Sequence, residues 1–261
     1  MTLAVAFIRR LPEREDRSEL VFASDSRLSG GQQMDHGAKI FELPRSDALL
    51  AFAGDTTYAY PLAAHLLTSI RIYPRSADRR YPLARARGHM LRVFDQVYHA
   101  IHGFPVGHNQ PLAAQPVVQF LFGGFAWHEA DFRIWYIDLD QATGRFAFRN
   151  GRSFWFIGDP VAVVGAVQQT HQLLASRGRT PDGIDMEPFE VLREIIRSAA
   201  FPAIGGVPQI AKVYRHMNTQ FFATLWDVAG VPTPHVFGRP LLGPESCSWP
   251  RFDPDTLHFT A

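Results

Sequence analysis

Four short apolar runs within residues 1–54 constrain this chain more than any other feature, because each carries or leads into a different chemical group. The first, residues 1–8 (MTLAVAFI), opens on the hydroxyl of Thr2. The second, residues 20–23 (LVFA), runs into Ser24, the carboxylate of Asp25, Ser26 and Arg27. The third, residues 37–41 (GAKIF), carries the amine of Lys39, and the fourth, residues 49–54 (LLAFAG), ends on Gly54. Runs this short and this continuously apolar, bounded by turn residues, predict strands buried on both faces.

The four groups make a chemical set. A threonine hydroxyl is a poor nucleophile at neutral pH and needs a base beside it. Thr2 is small enough for an initiator methionine in front of it to be trimmed, which would leave it a free α-amine. Such an amine has an ordinary pKa near ~8, low enough to stay neutral and accept the hydroxyl proton. A lysine ammonium nearby would lower that pKa further and stabilise developing negative charge, and a carboxylate would hold the lysine aimed. Glycine at 54 would let a backbone N–H approach a substrate oxyanion closely. Lysine is scarce in this chain: of 26 Lys+Arg only Lys39 and Lys212 are lysine. Arginine fills the other positions, so a retained lysine points to a need for a compact ammonium that a planar guanidinium does not mimic.

Thr2 at the head of an apolar strand, Phe22-Ala23-Ser24-Asp25-Ser26-Arg27, Ala38-Lys39-Ile40-Phe41 and Phe52-Ala53-Gly54-Asp55 together resemble the proteasome β-subunit family, which takes in the bacterial HslV peptidase and the Anbu proteins. The resemblance is strongest over residues 2–70 and traceable to about 228. It implies a threonine-type N-terminal-nucleophile hydrolase, a peptidase in a ring or stacked oligomer, with a four-layer αββα sandwich of α+β class. Thr2 would be nucleophile and base, Asp25 and Arg27 would position Lys39, and Gly54 would donate to the oxyanion. By strand parity Phe52 shares a face with Gly54, and Phe41 and Gly37 share one with Lys39. Leu28, Gly37, Phe41 and Phe52 would line an apolar, shallow substrate pocket, favouring small or medium apolar residues before the cleaved bond.

The sequence also departs from the family. Where catalytic members carry Asp-x-x-Ser before a Gly-Gly pair, this chain has Phe201 and Ile204 before Gly205-Gly206. Where the family has a serine that helps hold the terminal amine, it has Asp159, which with Pro160 also reads as a helix start. A catalytically silent structural or regulatory subunit therefore remains as an alternative.

The totals exclude other classes. A net charge of +1 creates no field that demands nucleic acid or a membrane. One cysteine, Cys247, rules out an intrachain disulfide framework. No apolar stretch approaches the ~20 residues of a membrane helix, and the charges follow the first run instead of preceding it as in a signal peptide. A cytoplasmic protein without metal or cofactor is expected, with peptide or protein as substrate, an unfoldase partner left open, and no nucleic acid. Residues 71–92 are arginine-rich and form the alternative of an acidic-partner surface, but without interleaved aromatics on a recognised nucleic-acid fold. Asp95, His99 and His102 share a predicted helix face near His108, a spacing that a polar outer face explains as well as a metal does.

The remaining pattern predicts a charged loop at 9–19, helices at 56–70, 84–101, 161–174 and 186–200, and strands at 116–127, 131–138, 145–149, 153–157, 207–214 and 220–228. In the first helix Tyr60, Ala63, Ala64 and Leu67 recur at helical spacing. Residues 2–229 form the expected hydrolase domain, followed by a proline-rich tail at 230–261 that lacks helical periodicity and packs over the surface or a neighbour.

Overall fold

A computed structural model describes residues 2–10, 18–30, 32–102 and 117–260, His102 through its backbone alone. Met1, residues 11–17 of the charged loop, Gly31, His108 and Pro116 lie outside the described residues.

In chain order the elements are β1 (Leu3–Arg9), β2 (Glu19–Ser24), β3 (Leu28–Gly30), β4 (Gln32–Met34), β5 (Ile40–Glu42), β6 (Ala48–Gly54), α1 (Thr56–Ile72), α2 (Pro74–Ala77) and α3 (Leu83–His102). Then come β7 (Val118–Ala126), β8 (Asp131–Asp140), β9 (Arg145–Asn150), β10 (Phe154–Gly158), α4 (Pro160–Ser176) and α5 (Glu187–Ser198). The last elements are β11 (Gln209–Tyr214), β12 (Thr219–Phe221), β13 (Ala223–Val228), β14 (Val231–Val236), β15 (Arg239–Pro240), β16 (Arg251–Asp253) and β17 (His258–Thr260).

Two antiparallel five-stranded sheets, ordered β10-β1-β2-β11-β12 and β5-β6-β7-β8-β9, share one core between them. Ala4, Ala6, Ile8, Leu20 and Phe22 enter it from the first sheet and Leu49, Ala51, Ala53 and Leu121 from the second. The alternate residues face outward. Leu3, Val5, Phe7, Val21 and Ala23 pack with Ala162, Ala166, Phe189, Leu192, Ile195 and Ile196 of α4 and α5. Leu50, Phe52, Phe120 and Phe122 pack with Leu62, Leu66, Met90 and Phe94 of α1 and α3. The early runs are therefore apolar throughout because every residue of 3–8 in β1, 20–23 in β2 and 48–53 in β6 meets one core or another. Each large side chain so buried is worth about 1.5–3 kcal/mol.

Three expectations need correction. The buried stripe of α1 is Ala59, Leu62, Ala63, Leu66 and Ile70, leaving Ala64 exposed. Two apolar stripes overlap on this helix, and the one carrying the larger aliphatic side chains removes more area from water. The strand expected at 220–228 breaks at Phe222: β12 stays in the first sheet and β13 opens another. The proline-rich segment, finally, is sheet. β14 and β15 continue antiparallel from β13, β16 joins β13 in parallel, and β17 closes the edge. Phe252 of β16 is fully buried, edge-on to Phe189 of α5 at 4.9 Å and stacked on Phe259 at 4.5 Å.

Candidate active site

Thr2 immediately precedes β1, which lies between β10 and β2, so the strand that follows it is fixed by two ladders at once. The register sets Leu3 against Gly158 and Ala4 against Ser24, and the carbonyl of Thr2 accepts from Asp159 N at 3.0 Å. Asp25 follows the end of β2, and its carboxylate is filled with donors. Oδ1 accepts from Leu3 N at 3.1 Å and Lys39 Nζ at 2.7 Å. Oδ2 accepts from Arg27 N at 3.2 Å and Gly205 N at 3.1 Å. Lys39 precedes β5, and its ammonium spans from Asp25 to Thr2 Oγ1, which it reaches at 2.5 Å.

All three side chains are buried. Burial pushes the Lys39 ammonium below the ordinary lysine range; Asp25 opposes that, and Arg27 adds to it. A buried ammonium between a carboxylate and a hydroxyl oxygen favours any negative charge that grows on that oxygen.

Gly54 ends β6 with φ +106°, a backbone conformation that L side chains rarely adopt. A Cβ there would also overlap the carbonyl of Val117. Thr2 and Gly54 line one cavity of about 490 Å³, with Leu28, Ser29, Asp55, Thr56, Thr57 and Val117. Thr56 and Thr57 begin α1, which Asp55 caps by accepting from Thr57 N at 2.8 Å.

The other expected residues divide. The Arg27 guanidinium turns from Lys39 to grip both oxygens of Asp35, at 2.6 and 2.9 Å, and Pro202 O at 3.0 Å; only its backbone N reaches Asp25. Leu28 lines the cavity, whereas Gly37 lies under the Leu28 side chain, where a Cβ would overlap it. Phe41 and Phe52 do not line this cavity. Their rings stack 6.1 Å apart in the core under α1, and Tyr60 meets Phe52 edge-on at 5.2 Å.

Several supporting groups escape sequence reasoning. The buried Gln209 side chain accepts from Lys39 N at 3.1 Å and donates to Gly37 O at 2.5 Å, fixing the lysine's backbone. Its one sequence signal is a polar residue at the head of a buried strand. Ser26, also buried, donates to Asp35 O at 2.7 Å and accepts from Val207 N at 2.8 Å. Ile204 is buried in the core beneath α5, with Phe201 partly buried against it, so neither offers a polar group. The Asp159 carboxylate accepts from Val161 N and Ala162 N, at 3.0 and 3.1 Å, as the cap of α4. Asp95 accepts from Phe146 N at 2.7 Å, and among the described residues no cluster of three or more His, Cys, Asp or Glu side chains gathers to hold a metal.

The paired sheets, with Thr2 at the head of an inner strand, make a fold of the proteasome β type. Among solved structures the chain is similar to Anbu from Hyphomicrobium sp. strain MC1, in a Gly-1 mutant form. The TM-score is 0.56 at 18% identity, over 84% of this chain and 85% of that one. No protein-family model and no curated protein sequence matches the chain.

Proposed function

We propose that the chain is a threonine-type N-terminal-nucleophile hydrolase acting on peptide or related amide bonds. The observation that carries this reading is the buried Lys39 ammonium joining Thr2 Oγ1 to Asp25. With Met1 removed, the α-amine of Thr2 takes the hydroxyl proton as Oγ1 attacks the carbonyl carbon. Lys39 stabilises the charge on the hydroxyl oxygen, and the Gly54 N–H receives the carbonyl oxygen as it becomes negative. The resulting ammonium returns its proton to the departing amine, leaving an ester on Thr2 that water cleaves by the same route. Arg27 serves through its backbone N and its grip on Asp35. Leu28 lines the cavity with Gly37 beneath it, so that small or medium apolar residues are preferred, while Phe41 and Phe52 stay in the core under α1. The three cores support a four-layer αββα sandwich, and a homo-oligomer encloses the sites. No cofactor enters this scheme.

A second reading, a catalytically silent subunit of the same fold, is favoured by Phe201, Ile204 and the use of Asp159 as a helix cap. Each removes a side-chain support for the terminal amine. Intact mass and labelling by a threonine-directed electrophile decide between the two. The hydrolase reading expects loss of Met1 and one label that disappears in Thr2→Ala. Labelling that persists in Thr2→Ala sinks it, and a chain that retains Met1 throughout supports the silent subunit.

A further inference from the structure

One turn of the proline-rich ribbon rests against the candidate site. β14 and β15 pair His235 with Pro240 and Val236 with Arg239, leaving Phe237 and Gly238 as a two-residue turn. Both have positive φ, +50° and +84°, as a type I′ hairpin requires. Phenylalanine is a costly choice there, and such a conformation persists only where its surroundings hold it. Here they do. The Phe237 ring lies edge-on to Phe221 at 5.5 Å and to Trp249 at 5.4 Å, and those two stack at 5.1 Å. Glu245 clamps the neighbouring Arg239 with two bonds of 2.7 and 2.6 Å.

This anchored turn places the Gly238 backbone directly on Ser26. A Cβ at 238 would overlap both Cβ and Oγ of Ser26 and come within 2.7 Å of Asp35 O. Ser26 is the corner from which the carboxylate is held. Ser26 N and Arg27 N both donate to Gly205 O, at 3.1 and 3.0 Å, while Arg27 N and Gly205 N hold Asp25 Oδ2. We propose that the Phe237-Gly238 turn is a positioning element of the site: it backs the Ser26 corner that keeps Asp25 against Lys39. This rests on the reading of Thr2, Asp25 and Lys39 as the reactive set.

The two lysines give a readout that needs no turnover. With lysine 13C-labelled at Cε, Lys39 and Lys212 are the only side-chain signals, assigned by Lys212→Arg. The charged groups facing Lys39 are Asp25, Arg27 and Asp35, none of them on the ribbon. In Gly238→Val the corner moves and Asp25 opposes the burial of Lys39 less well. The Lys39 signal should then titrate about one pH unit lower than in the wild type, and kcat should fall about tenfold with KM unchanged. Gly230→Val is the control. Ala229 and Gly230, at φ +54° and +85°, make the equivalent turn of β13 and β14, and a Cβ at 230 meets nothing within 4 Å. Its Lys39 signal and kcat should match the wild type. If Gly238→Val does not fold, Phe237→Ala loosens the same anchor without a clash and should shift Lys39 in the same direction. An unmoved Lys39 signal in the folded variants, or an equal shift in Gly230→Val, overturns the proposal. Hydrolysis surviving in Thr2→Ala breaks the catalytic reading instead, and the Lys39 titration still decides what the turn does.

Discussion

Lys39 and Lys212 are each held out of water beside one carboxylate, Asp25 and Glu19, at 2.7 Å in both pairs. Burial pushes both ammonium groups down, Lys212 to about 8 against the pull of Glu19. Because the folded value for Lys212 lies below the unfolded one of 10.5, the unfolded chain binds more protons between those limits, and stability rises with pH there. The wild type should gain about 2 kcal/mol on Lys212→Met between about pH 7.5 and 9.5, read by urea unfolding. A flat difference would mean that Lys212 is better solvated than its position beneath the Phe259 ring implies. On the proposed hydrolase reading, the same burial at Lys39 has a kinetic consequence. Activity should fall on the alkaline side at a lower pH than an ordinary lysine would give, and on the acid side as the Thr2 amine takes a proton. Lys39→Ala should lower kcat about 100-fold, and Lys39→Arg should not restore it, since a planar guanidinium has no room in a fully buried slot.

Elements differ in how much of them the sequence discloses. β1, β2 and β6 are legible because a strand with two buried faces has no polar residue to interrupt it. α5 is legible too, with Phe189, Leu192, Ile195 and Ile196 buried as their spacing predicts. β14 is hidden by its prolines. Pro232 and Pro234 alternate, so their missing N–H groups fall on one side of the strand, away from β13, with which they still pair in register. Read along the chain, that pattern resembles an unpaired tail. The site divides in the same way. Thr2, Asp25, Lys39 and Gly54 stand in or beside apolar runs, whereas Gly205 and Gly238 lie outside them and act through backbone alone. Two substitutions weigh these elements against each other. Phe252→Ala empties a fully buried position under α5 and should cost about 3–5 kcal/mol. Asp159→Ala removes only the cap of α4 and should cost about 1 kcal/mol. Equal losses in thermal unfolding would show that β16 is an appendage and not part of the core.

Across the whole molecule, apolar side chains remain in the open on several elements: Ile72 of α1, Val161 and Val164 of α4, and Val231 of β14 are between 61% and 73% exposed. α1 and α3 also flank an apolar cleft of about 780 Å³ that includes Ile72, Val93 and Val97. Such surfaces suit contacts between copies, and light scattering should give a multiple of 29.4 kDa at micromolar concentration. A stable monomer would count against enclosed sites. The strand order carries a consequence in time. β1 is sealed on one side by β10 and, through β2, by β11, so the bond network around Asp25 and Lys39 closes only when residues 205–209 arrive. At a synthesis rate of about 5–20 residues per second, those residues emerge roughly 10–40 s after the amino terminus. Thr2 is 3% exposed once the fold is complete. On the proposed hydrolase reading, trimming of the initiator methionine would therefore have a deadline: it would belong to the growing chain on the ribosome, and a chain that closed first would keep its methionine and stay inert.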